Sequence, residues 1–435
     1  MPRLPDWPEQ PAKGTKMIDL KFIRSNPDEV RAAIRNKNEK ADLDALLELD
    51  ETRRGLQFEF DQFKSRQNQV SQTIAKLKRE GGDASALLEE MGSVAEKIKA
   101  VNGRLTEINA ELEARLLTIP NLPEASVPVG RDESSNILVK TWGEQPSFAF
   151  TPLDHLELAE KNALLDMPRG AKISGSGFPV YTGFGARLER AVINFMLEFH
   201  LQRHGYSELG VPLIVNRKTM TGTGQLPKLE TDMYHVDEDD LFLIPTAEVP
   251  VTNIHAGEVL SLAQLPLKYV AYTPCFRREA GSYGKDTRGL QRLHQFNKVE
   301  MVRFVEPQSS WEALEEMLRD AEDILQALGL HYRVVQLCTG DLSFASAKTY
   351  DIEVWAPGTG KYLEVSSVSN FVDFQARRAN IRYRDASGKM AFVHTLNGSG
   401  VATPRLMIAL LETYQRQDGS LELPPILLRQ MDRPL

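Results

Sequence analysis

The sequence predicts an α+β fold, in which helices flank an antiparallel β-sheet, preceded by a long antiparallel two-helix coiled coil. Apolar residues recur at alternating spacings of three and four from about Asp42 to Leu112, with one interruption at residues 81–83. This spacing is typical of paired helices joined by a tight turn. Beyond residue 130 the pattern changes to short strands joined as hairpins, with helices between them, which indicates an antiparallel sheet.

The changes in pattern divide the chain into three segments. Residues 1–16 are rich in proline and polar residues and lack periodicity, so we expect a disordered N-terminal extension. Residues 17–122 form the first expected domain, which contains the coiled coil. Ile119–Gly130 is rich in proline and turn residues, so we interpret it as a linker. The second expected domain spans residues 123–435.

Composition excludes several classes of protein. The chain has 435 residues, of which 42% are hydrophobic and 26% charged, as in ordinary globular proteins. No apolar run approaches the ~18 residues of a membrane span, and no secretory signal is evident, so we expect a cytoplasmic protein. Cys275 and Cys338 lack zinc-ligand spacing, so no zinc is expected. The net charge of -8 argues against a general nucleic-acid coat but allows a local basic patch.

The coiled-coil segment has two interpretations. Each helix of ~35 residues would extend ~50 Å, and such an arm can act as a spacer or a dimerisation element. It can also reach a nucleic-acid backbone, because many basic residues lie off the apolar seam. These residues are Lys64, Arg66, Lys76, Lys78, Arg79, Lys97, Lys99 and Arg104. Acidic residues are interleaved among them, so charge alone does not decide between the two interpretations.

Shorter elements follow in the second domain. Apolar spacing predicts helices over residues 186–204 and 310–329, the second closed by Gly329. Alternation predicts strands over residues 206–212, 241–248, 350–355 and 361–367. A last helix runs through Tyr414, with Thr403 as its N-cap and Pro404 in its first turn.

Residues 267–304 hold the strongest functional signal. Two alternating segments flank a loop that contains several glycines, which predicts a long antiparallel hairpin. Strand alternation places Arg277 with Glu279 on one strand, and Phe296 with Lys298 and Glu300 on the other. A guanidinium suits a phosphate, a ring suits a base and a carboxylate suits an ammonium group. The hairpin is therefore a candidate site for a nucleotide and a small amine, although a solvated charged face with Phe296 in the core is the alternative.

Several strings identify a family by resemblance. Phe276–Glu279, with the following glycine-rich loop and Arg288, resembles motif 2 of class II aminoacyl-tRNA synthetases. Gly398–Arg405 resembles motif 3, and the region that ends at Pro212 resembles motif 1. The strings Thr223–Lys228, Ile244–Pro250, His294–Glu300, Glu364–Ser367 and Phe374–Arg378 narrow the resemblance to bacterial-type seryl-tRNA synthetases.

The resemblance implies a role for each matching residue. Arg277, Glu279 and Arg405 are the implied catalytic residues, with Arg277 at the α-phosphate of ATP and the serine carboxylate. Phe296 stacks on one face of adenine and Arg405 covers the other. ATP binding is implied for Arg277, Arg278, Glu279, Phe296, Glu364, Val365, Ser366, Ser367 and Arg405. Serine binding is implied for Thr246, Ala247, Glu248, Arg277, Glu300 and Ser399.

The implied Mg²⁺ ligands, Glu364 and Ser367, depart from simple strand geometry. Strict alternation pairs Glu364 with Ser366, so either a bulge turns Ser367 inward or its role is indirect. His294 is interpreted as a structural histidine rather than a general base, because the implied phosphoryl chemistry does not need one.

The resemblance implies an enzyme that activates L-serine with ATP and Mg²⁺ and transfers it to the 3′ end of tRNA(Ser), and to tRNA(Sec) where present. It also implies a homodimer in which the N-terminal tRNA-binding domain of one subunit serves the other. Two alternatives are weaker. An amino-acid:carrier-protein ligase would lack the long arm, and a non-catalytic tRNA-binding scaffold would not need the complete set of site residues.

Overall fold

A computed structural model of the chain describes residues 19–280 and 288–431. These residues form two compact units. One unit contains residues 19–35 and Glu39–Ile119, and the other contains Asn36–Asn38 and the described residues from Pro120 onward. The predicted disordered extension, residues 1–16, and the middle of the glycine-rich loop, residues 281–287, lie outside the described residues.

The first unit consists of α1 (Leu20–Ser25), α2 (Pro27–Asn36), α3 (Leu43–Arg79) and α4 (Ser85–Leu116). Helices α3 and α4 are antiparallel. Arg66 contacts Glu90, whereas Phe63, earlier in α3, contacts Lys97, later in α4. Buried residues recur along α4 at spacings of four, seven, three and four from Val94 to Leu112, which keeps them on one side of the helix. The predicted two-helix arm is confirmed.

The second unit is organised around a sheet. Its strands are β1 (Ile137–Trp142), β2 (Leu165–Asp166), β3 (Val180–Tyr181), β4 (Ser207–Glu208), β5 (Ile214–Asn216), β6 (His235–Val236), β7 (Leu241–Leu243), β8 (Val259–Ser261), β9 (Leu267–Phe276), β10 (Gln295–Val305), β11 (Tyr332–Gln336), β12 (Lys348–Ala356), β13 (Lys361–Asn370), β14 (Arg382–Arg384), β15 (Met390–Phe392) and β16 (His394–Ala402). Eight of them form the main sheet in the order β1-β11-β12-β13-β16-β10-β9-β4. Neighbours in this sheet are antiparallel, except that β4 pairs with β9 in parallel. The predicted α+β class is confirmed.

Helices surround this sheet. They are α5 (His155–Lys161), α6 (Met167–Ser174), α7 (Gly183–Arg203), α8 (Arg217–Gly222), α9 (Glu248–Asn253), α10 (Ser310–Ala327), α11 (Phe374–Ala379), α12 (Thr403–Thr413) and α13 (Pro425–Met431), with 3-10 turns at Glu133–Ser135, Glu230–Asp232, Leu262–Gln264 and Pro307–Ser309. Helices α7, α10 and α12 bury their apolar sides against one face of the central strands. The opposite face carries polar groups beside a smaller apolar cluster that includes Ala271, Val302 and Phe304. No helix in the described part of the chain has the length and apolar character needed to cross a membrane.

The ends of several elements differ from the predictions. The strand predicted over residues 206–212 is paired only at Ser207–Glu208, and the one predicted over residues 241–248 ends at Leu243. Helix α12 begins at Thr403, so the prediction of Thr403 as N-cap is wrong by one residue. The Thr403 hydroxyl instead donates to Glu189 and to the carbonyl of Asn297.

Two glycines let the helices approach the centre of the sheet closely. A Cβ on Gly400 of β16 would lie 2.5 Å from Nε2 of His200 on α7. A Cβ on Gly398 would lie 3.2 Å from Sδ of Met317 on α10 and 3.0 Å from a methyl group of Val368. The sequence predicts no strand over residues 397–402, yet β16 is a central strand whose glycines make room for the helix layer.

Replacing Gly400 with alanine should therefore overpack this contact and destabilise the protein by about 1–3 kcal/mol. Urea and thermal unfolding measure the effect. Gly210→Ala is the matched control, since its Cβ would meet no atom within 4 Å. Equal stability of the Gly400→Ala and Gly210→Ala proteins would contradict the packing argument.

Candidate active site

A cavity of about 650 Å³ opens on the polar face of the sheet. Strands β10, β13 and β16 contribute side chains to it, together with the segments that follow β7 and β9. Most of the site residues predicted from the sequence line this single cavity. They are Thr246, Glu248, Arg277, Glu279, Phe296, Glu300, Glu364, Val365, Ser367, Ser399 and Arg405. The structure therefore brings together residues from six separate parts of the chain.

Strand β10 supplies an aromatic ring and two charges. Antiparallel pairing with β9 sets Phe296 opposite Cys275 and Glu300 opposite Ala271. Phe296, Lys298 and Glu300 then share one face and line the cavity, as strand alternation predicts. Nζ of Lys298 lies 2.5 Å from Oε2 of Glu300, and both side chains are almost fully buried. The pair places a cation directly beside the Glu300 carboxyl group inside the cavity.

Arg277 and Glu279 reach the cavity in a way that strand alternation does not explain. Strand β9 ends at Phe276, and Glu279 has a positive φ of 51°, so the predicted common strand face is wrong for this pair. The Arg277 guanidinium lies 5.2 Å from the centre of the Phe296 ring, and its Nε donates to the carbonyl of Pro245. Glu279 accepts a hydrogen bond of 2.9 Å from Arg292. The segment that follows β9, and not the strand itself, directs these two side chains into the cavity.

An acidic pocket lies at the end of the cavity nearest α9. Glu248 is buried and accepts a hydrogen bond of 2.6 Å from Nε2 of Gln375, whose Oε1 accepts from Thr395. The Ser399 hydroxyl donates to Glu300 at 3.3 Å. Burial, followed by the nearby charge of Glu300, raises the pKa of Glu248 to about 7.

A bulge brings Glu364 and Ser367 to the same side of β13. Ile352 pairs with Ser366 and Glu353 pairs with Glu364, so Val365 is an extra residue on β13. The bulged alternative of the sequence analysis is therefore the one observed, and both Glu364 and Ser367 line the cavity.

Asp351 lies opposite Ser367 on β12. Among the described residues, none forms a hydrogen bond with its buried Oδ1. Burial, and then the charge of Glu364, raise the pKa of Asp351 well above its ordinary value. Two carboxyl groups and a hydroxyl thus lie close together, which is a donor set of the kind that Mg²⁺ prefers. No group of three His, Cys, Asp or Glu side chains in residues 19–280 and 288–431 forms a metal cluster.

Arg405, at the start of α12, connects two walls of the cavity. Its Nη1 donates to the carbonyl of Glu364 at 2.7 Å and contacts the Glu364 carboxylate at 3.3 Å. Its Nε donates to the carbonyl of Gln291 at 3.4 Å. His294 lies behind this wall, where Nδ1 contacts the Arg277 carbonyl and the ring stacks on Phe178. That arrangement fits the structural interpretation of His294.

Three of the residues predicted for the site do not line the cavity: Ala247, Arg278 and Ser366. Ala247 is fully buried before α9, the backbone N–H of Arg278 donates to the carbonyl of Asp232, and the Ser366 hydroxyl donates to the carbonyl of Ser399. The cavity also has lining residues that the sequence analysis missed, among them Asp232, Gln291, Arg292, Ser369 and Asn397. Alternation with Ser399 would have indicated Asn397, had β16 been recognised as a strand.

Comparisons with known proteins agree with this geometry. Two family models match: the seryl-tRNA synthetase N-terminal domain over residues 17–123, and the tRNA synthetase class II core domain (G, H, P, S and T) over residues 230–414. Serine--tRNA ligase of Geobacter sulfurreducens is 54% identical over 412 residues, which cover 94% of this chain and 97% of that relative. Serine--tRNA ligase of Caldanaerobacter subterraneus is 55% identical with the same coverage. The chain belongs to the seryl-tRNA synthetase family.

Solved structures lead to the same family. Seryl-tRNA synthetase from Pyrococcus horikoshii, complexed with ATP, superposes with a TM-score of 0.90 at 36% identity and covers 95% of this chain and 98% of that one. Cytoplasmic serine-tRNA ligase from Naegleria fowleri, in complex with AMP, gives 0.85 at 28% identity, with coverages of 96% and 98%. The resemblance to this family, the class II fold and the enzyme class serine–tRNA ligase are confirmed.

Glu248 should give this synthetase a specific pH dependence of stability. A carboxyl whose pKa rises from 4.5 to about 7 on folding stabilises the fold below about pH 4.5, and that stability is lost as the pH rises through about 7. The free energy of unfolding of the wild type should therefore fall between pH 5 and 8, and in the Glu248→Gln protein this fall should be smaller by up to about 3 kcal/mol. Urea unfolding across this range measures it.

Glu144→Gln serves as the control for that experiment, because Glu144 is exposed and does not line the cavity. An identical pH dependence in the wild type and the Glu248→Gln protein would show that Glu248 ionises at its ordinary pKa.

Proposed function

We propose that the protein activates L-serine with ATP to form seryl-adenylate and transfers the seryl group to the 3′ end of tRNA(Ser). The observation that carries this proposal is the convergence of Arg277, Phe296 and Glu300 on one cavity. The relatives solved with ATP and with AMP are structurally close over nearly the whole chain, which supports a nucleotide as one substrate.

The nucleotide occupies the half of the cavity between β10 and α12. Phe296 offers its ring to adenine, and Arg405 covers the other face and reaches the terminal phosphates. Arg277 binds the α-phosphate, and Glu279 and Val365 contribute to the same subsite. Arg278 and Ser366 support the site from behind, because the first anchors its backbone to Asp232 and the second bonds to the strand that carries Ser399.

Serine occupies the acidic end. The Glu300 carboxylate accepts a hydrogen bond from the substrate hydroxyl, and Ser399, Thr246 and Glu248 line the remaining space. Ala247 lies between Thr246 and Glu248, at the N-cap of α9, and so positions the backbone from which these two side chains extend. Sites that hydrogen-bond a substrate hydroxyl reject analogues that lack it by ~10⁴ or more in favourable cases. Alanine is therefore a poor substrate despite its similar size.

The chemistry needs no nucleophile from the protein. The serine carboxylate attacks the α-phosphate in line and expels pyrophosphate. The 3′-hydroxyl of the tRNA then attacks the acyl carbon of the mixed anhydride, which forms the ester and releases AMP. Arg277 and Arg405 bind the phosphates and stabilise their charge.

Glu364 and Ser367 are the proposed Mg²⁺ ligands, and the carboxyl of Asp351 behind them fits a hard cation. Bound there, Mg²⁺ would add charge stabilisation for the phosphates. A Glu364→Gln protein that needs no more Mg²⁺ for half-maximal activity would exclude this assignment.

The N-terminal unit is proposed to be the tRNA-binding domain, with residues 17–122 separate from the catalytic domain of residues 123–435. Support comes from the arm, on which Lys76, Lys78, Lys97 and the other basic residues of the sequence analysis are exposed. Exposed cations bind phosphates with affinity that falls steeply with salt. By the same proposal tRNA(Sec) is charged where present.

A homodimer is proposed, in which the arm of one subunit serves the other. The support is the resemblance of the region ending at Pro212 to motif 1, and sedimentation equilibrium showing a monomer would exclude the dimer.

A cytoplasmic location is proposed because ATP and tRNA are found there, and both cysteines are buried and unbridged. Fractionation tests it.

Amino-acid-dependent ATP–pyrophosphate exchange tests the activation step. We expect exchange with serine and at most weak exchange with threonine, alanine and glycine. Arg277→Ala should reduce the serine reaction by about 10³ or more, because the α-phosphate loses its fixed cation. Arg416→Ala is the control, since Arg416 pairs with Glu422 on the surface. Near-normal exchange by Arg277→Ala would refute the assigned role.

Deletion of residues 42–117, with a short glycine-serine linker in their place, tests the arm. Serine-dependent exchange should stay within about twofold, whereas charging of tRNA(Ser) and tRNA(Sec) should fall by about 100-fold or more through loss of phosphate contacts. Lys76→Ala in the intact arm should weaken tRNA binding mainly at low salt. Equal loss of activation and charging would mean that the arm is structural.

A further inference from the structure

A buried histidine connects α12 to residues 288–294, several of which line the cavity. His155 is the first residue of α5 and is almost fully buried. Oε1 of Glu412, on α12, accepts the backbone N–H of His155 at 3.0 Å and lies 3.2 Å from its Nδ1. On the other side of the ring, Nε2 lies 3.3 Å from the backbone nitrogen of Leu290. His155 itself does not line the cavity.

These contacts determine which ring nitrogen carries the proton. The backbone N–H of Leu290 can only donate, so Nε2 of His155 must accept and cannot carry a proton. The proton then lies on Nδ1, where it is donated to the Glu412 carboxylate. Glu412 is held in turn by the N–H and hydroxyl of Thr359, at 2.9 and 2.7 Å. The ring is fixed in one orientation and one tautomer.

The contact at Leu290 matters because of what lies beside it. Residues 288–294, here called the return limb, lead from the glycine-rich loop back into β10. Within the limb, Arg292 donates to Glu279, and the carbonyl of Gln291 accepts from Arg405. Both Gln291 and Arg292 line the cavity. A displacement of the limb would therefore move the partners of two proposed nucleotide-binding side chains.

Helix α12 holds this limb at two points. Arg405 and Glu412 are seven residues apart, which is about two helical turns, so they lie on the same side of the helix. Arg405 contacts the limb directly at Gln291, and Glu412 contacts it through His155. Gly289 allows the approach, because its φ is 65° and a Cβ there would lie 2.2 Å from Nε2 of His155.

A second contact between α5 and the limb is weaker. Arg288 approaches Asp154 at 3.3 Å, but the Arg288 side chain is 66% exposed. Exposed ion pairs contribute little in water, whereas a buried N–H without its acceptor carries the full cost of desolvation. The bond from Leu290 to His155 is therefore the stronger of the two anchors.

We propose that His155 is a positioning residue for ATP: held by Glu412, it fixes the return limb through the Leu290 amide and so places Glu279 and Arg405 for the nucleotide. The proposal rests on the proposed function for its effect on activity, but not for its structural part. It assigns His155 no contact with either substrate.

Two conservative variants of His155 separate the hydrogen bond at Nδ1 from the hydrogen bond at Nε2. The amide nitrogen of His155→Asn can take the place of Nδ1 and keep the bond to Glu412, but nothing then accepts the Leu290 N–H. The amide oxygen of His155→Gln can take the place of Nε2 and accept it. His155→Phe keeps the volume and removes both bonds. His331→Asn is the control, because its ring nitrogens also have partners, Gly143 and Tyr362, and none of the three residues lines the cavity.

Hydrogen–deuterium exchange at the Leu290 amide and serine-dependent pyrophosphate exchange are measured for each protein. The Asn and Phe variants should exchange the Leu290 amide faster and raise KM for ATP by about fivefold, the factor for one hydrogen bond of ordinary strength. KM for serine should change by less than about twofold. The Gln variant should restore both readouts, and His331→Asn should match the wild type.

The proposal is overturned if His155→Asn equals the wild type in amide exchange and KM for ATP, or if Gln and Asn variants raise both KM values alike. If His155→Phe does not fold, the Asn and Gln pair decides alone. Absence of serine-dependent exchange in the wild type would reject the proposed function instead, while the Leu290 amide still reports on the anchor without any substrate.

Discussion

The pairing of β10 with β16 is the constraint on which the cavity depends. It sets Glu300 opposite Ser399, while β13 on the other side of β16 sets Ser369 opposite Asn397. Because side chains alternate along a strand, a shift of one residue in either pairing would turn these polar groups into the helix layer. The apolar core on the opposite face, with Met301, Val368 and Leu396, prevents such a shift. The hydrophobic face of the sheet thus determines the position of the polar one.

The two buried carboxyl groups at the acidic end of the cavity, Glu300 and Glu248, have different partners. Glu300 has the ammonium group of Lys298 beside it, at 2.5 Å. A buried carboxylate without such a partner would cost several kcal/mol. Glu248 has an amide partner, Gln375, whose hydrogen bond lowers the pKa of Glu248, but burial and then the nearby charge of Glu300 outweigh it, so the pKa rises to about 7. Glu300 thus has a cationic partner within the protein, whereas Glu248 is hydrogen-bonded to a neutral amide and could be paired by a cation from outside. An amino-acid ammonium group would be such a cation, so this end of the cavity is suited to a substrate that carries its own positive charge.

The sequence predicts part of this site and misses the rest for identifiable reasons. The hairpin and the shared face of Phe296, Lys298 and Glu300 follow from alternation alone, because that period survives in any half-buried strand. Strand β16 does not, since Gly398 and Gly400 have low strand propensity, and the close packing of α7 and α10 against them is a tertiary contact that no local pattern indicates. No pattern in the sequence predicts the bulge at Val365. Asp232 and His155 act through residues far away in the chain, and such contacts have no local pattern.

The same glycines explain why a site of this kind is hard to find from local rules. A central strand with large side chains on its core face would be easy to predict, but it would hold α7 and α10 further from the sheet. Arg405 starts α12 directly after β16, so the depth at which α12 lies determines how far its guanidinium extends over the cavity. Close packing at Gly398 and Gly400 involves α10 and α7, whereas the position of Arg405 follows from the end of β16 at Ala402 and the start of α12 at Thr403. The weak strand signal of residues 397–402 is a consequence of the close approach of α7 and α10 to these two glycines.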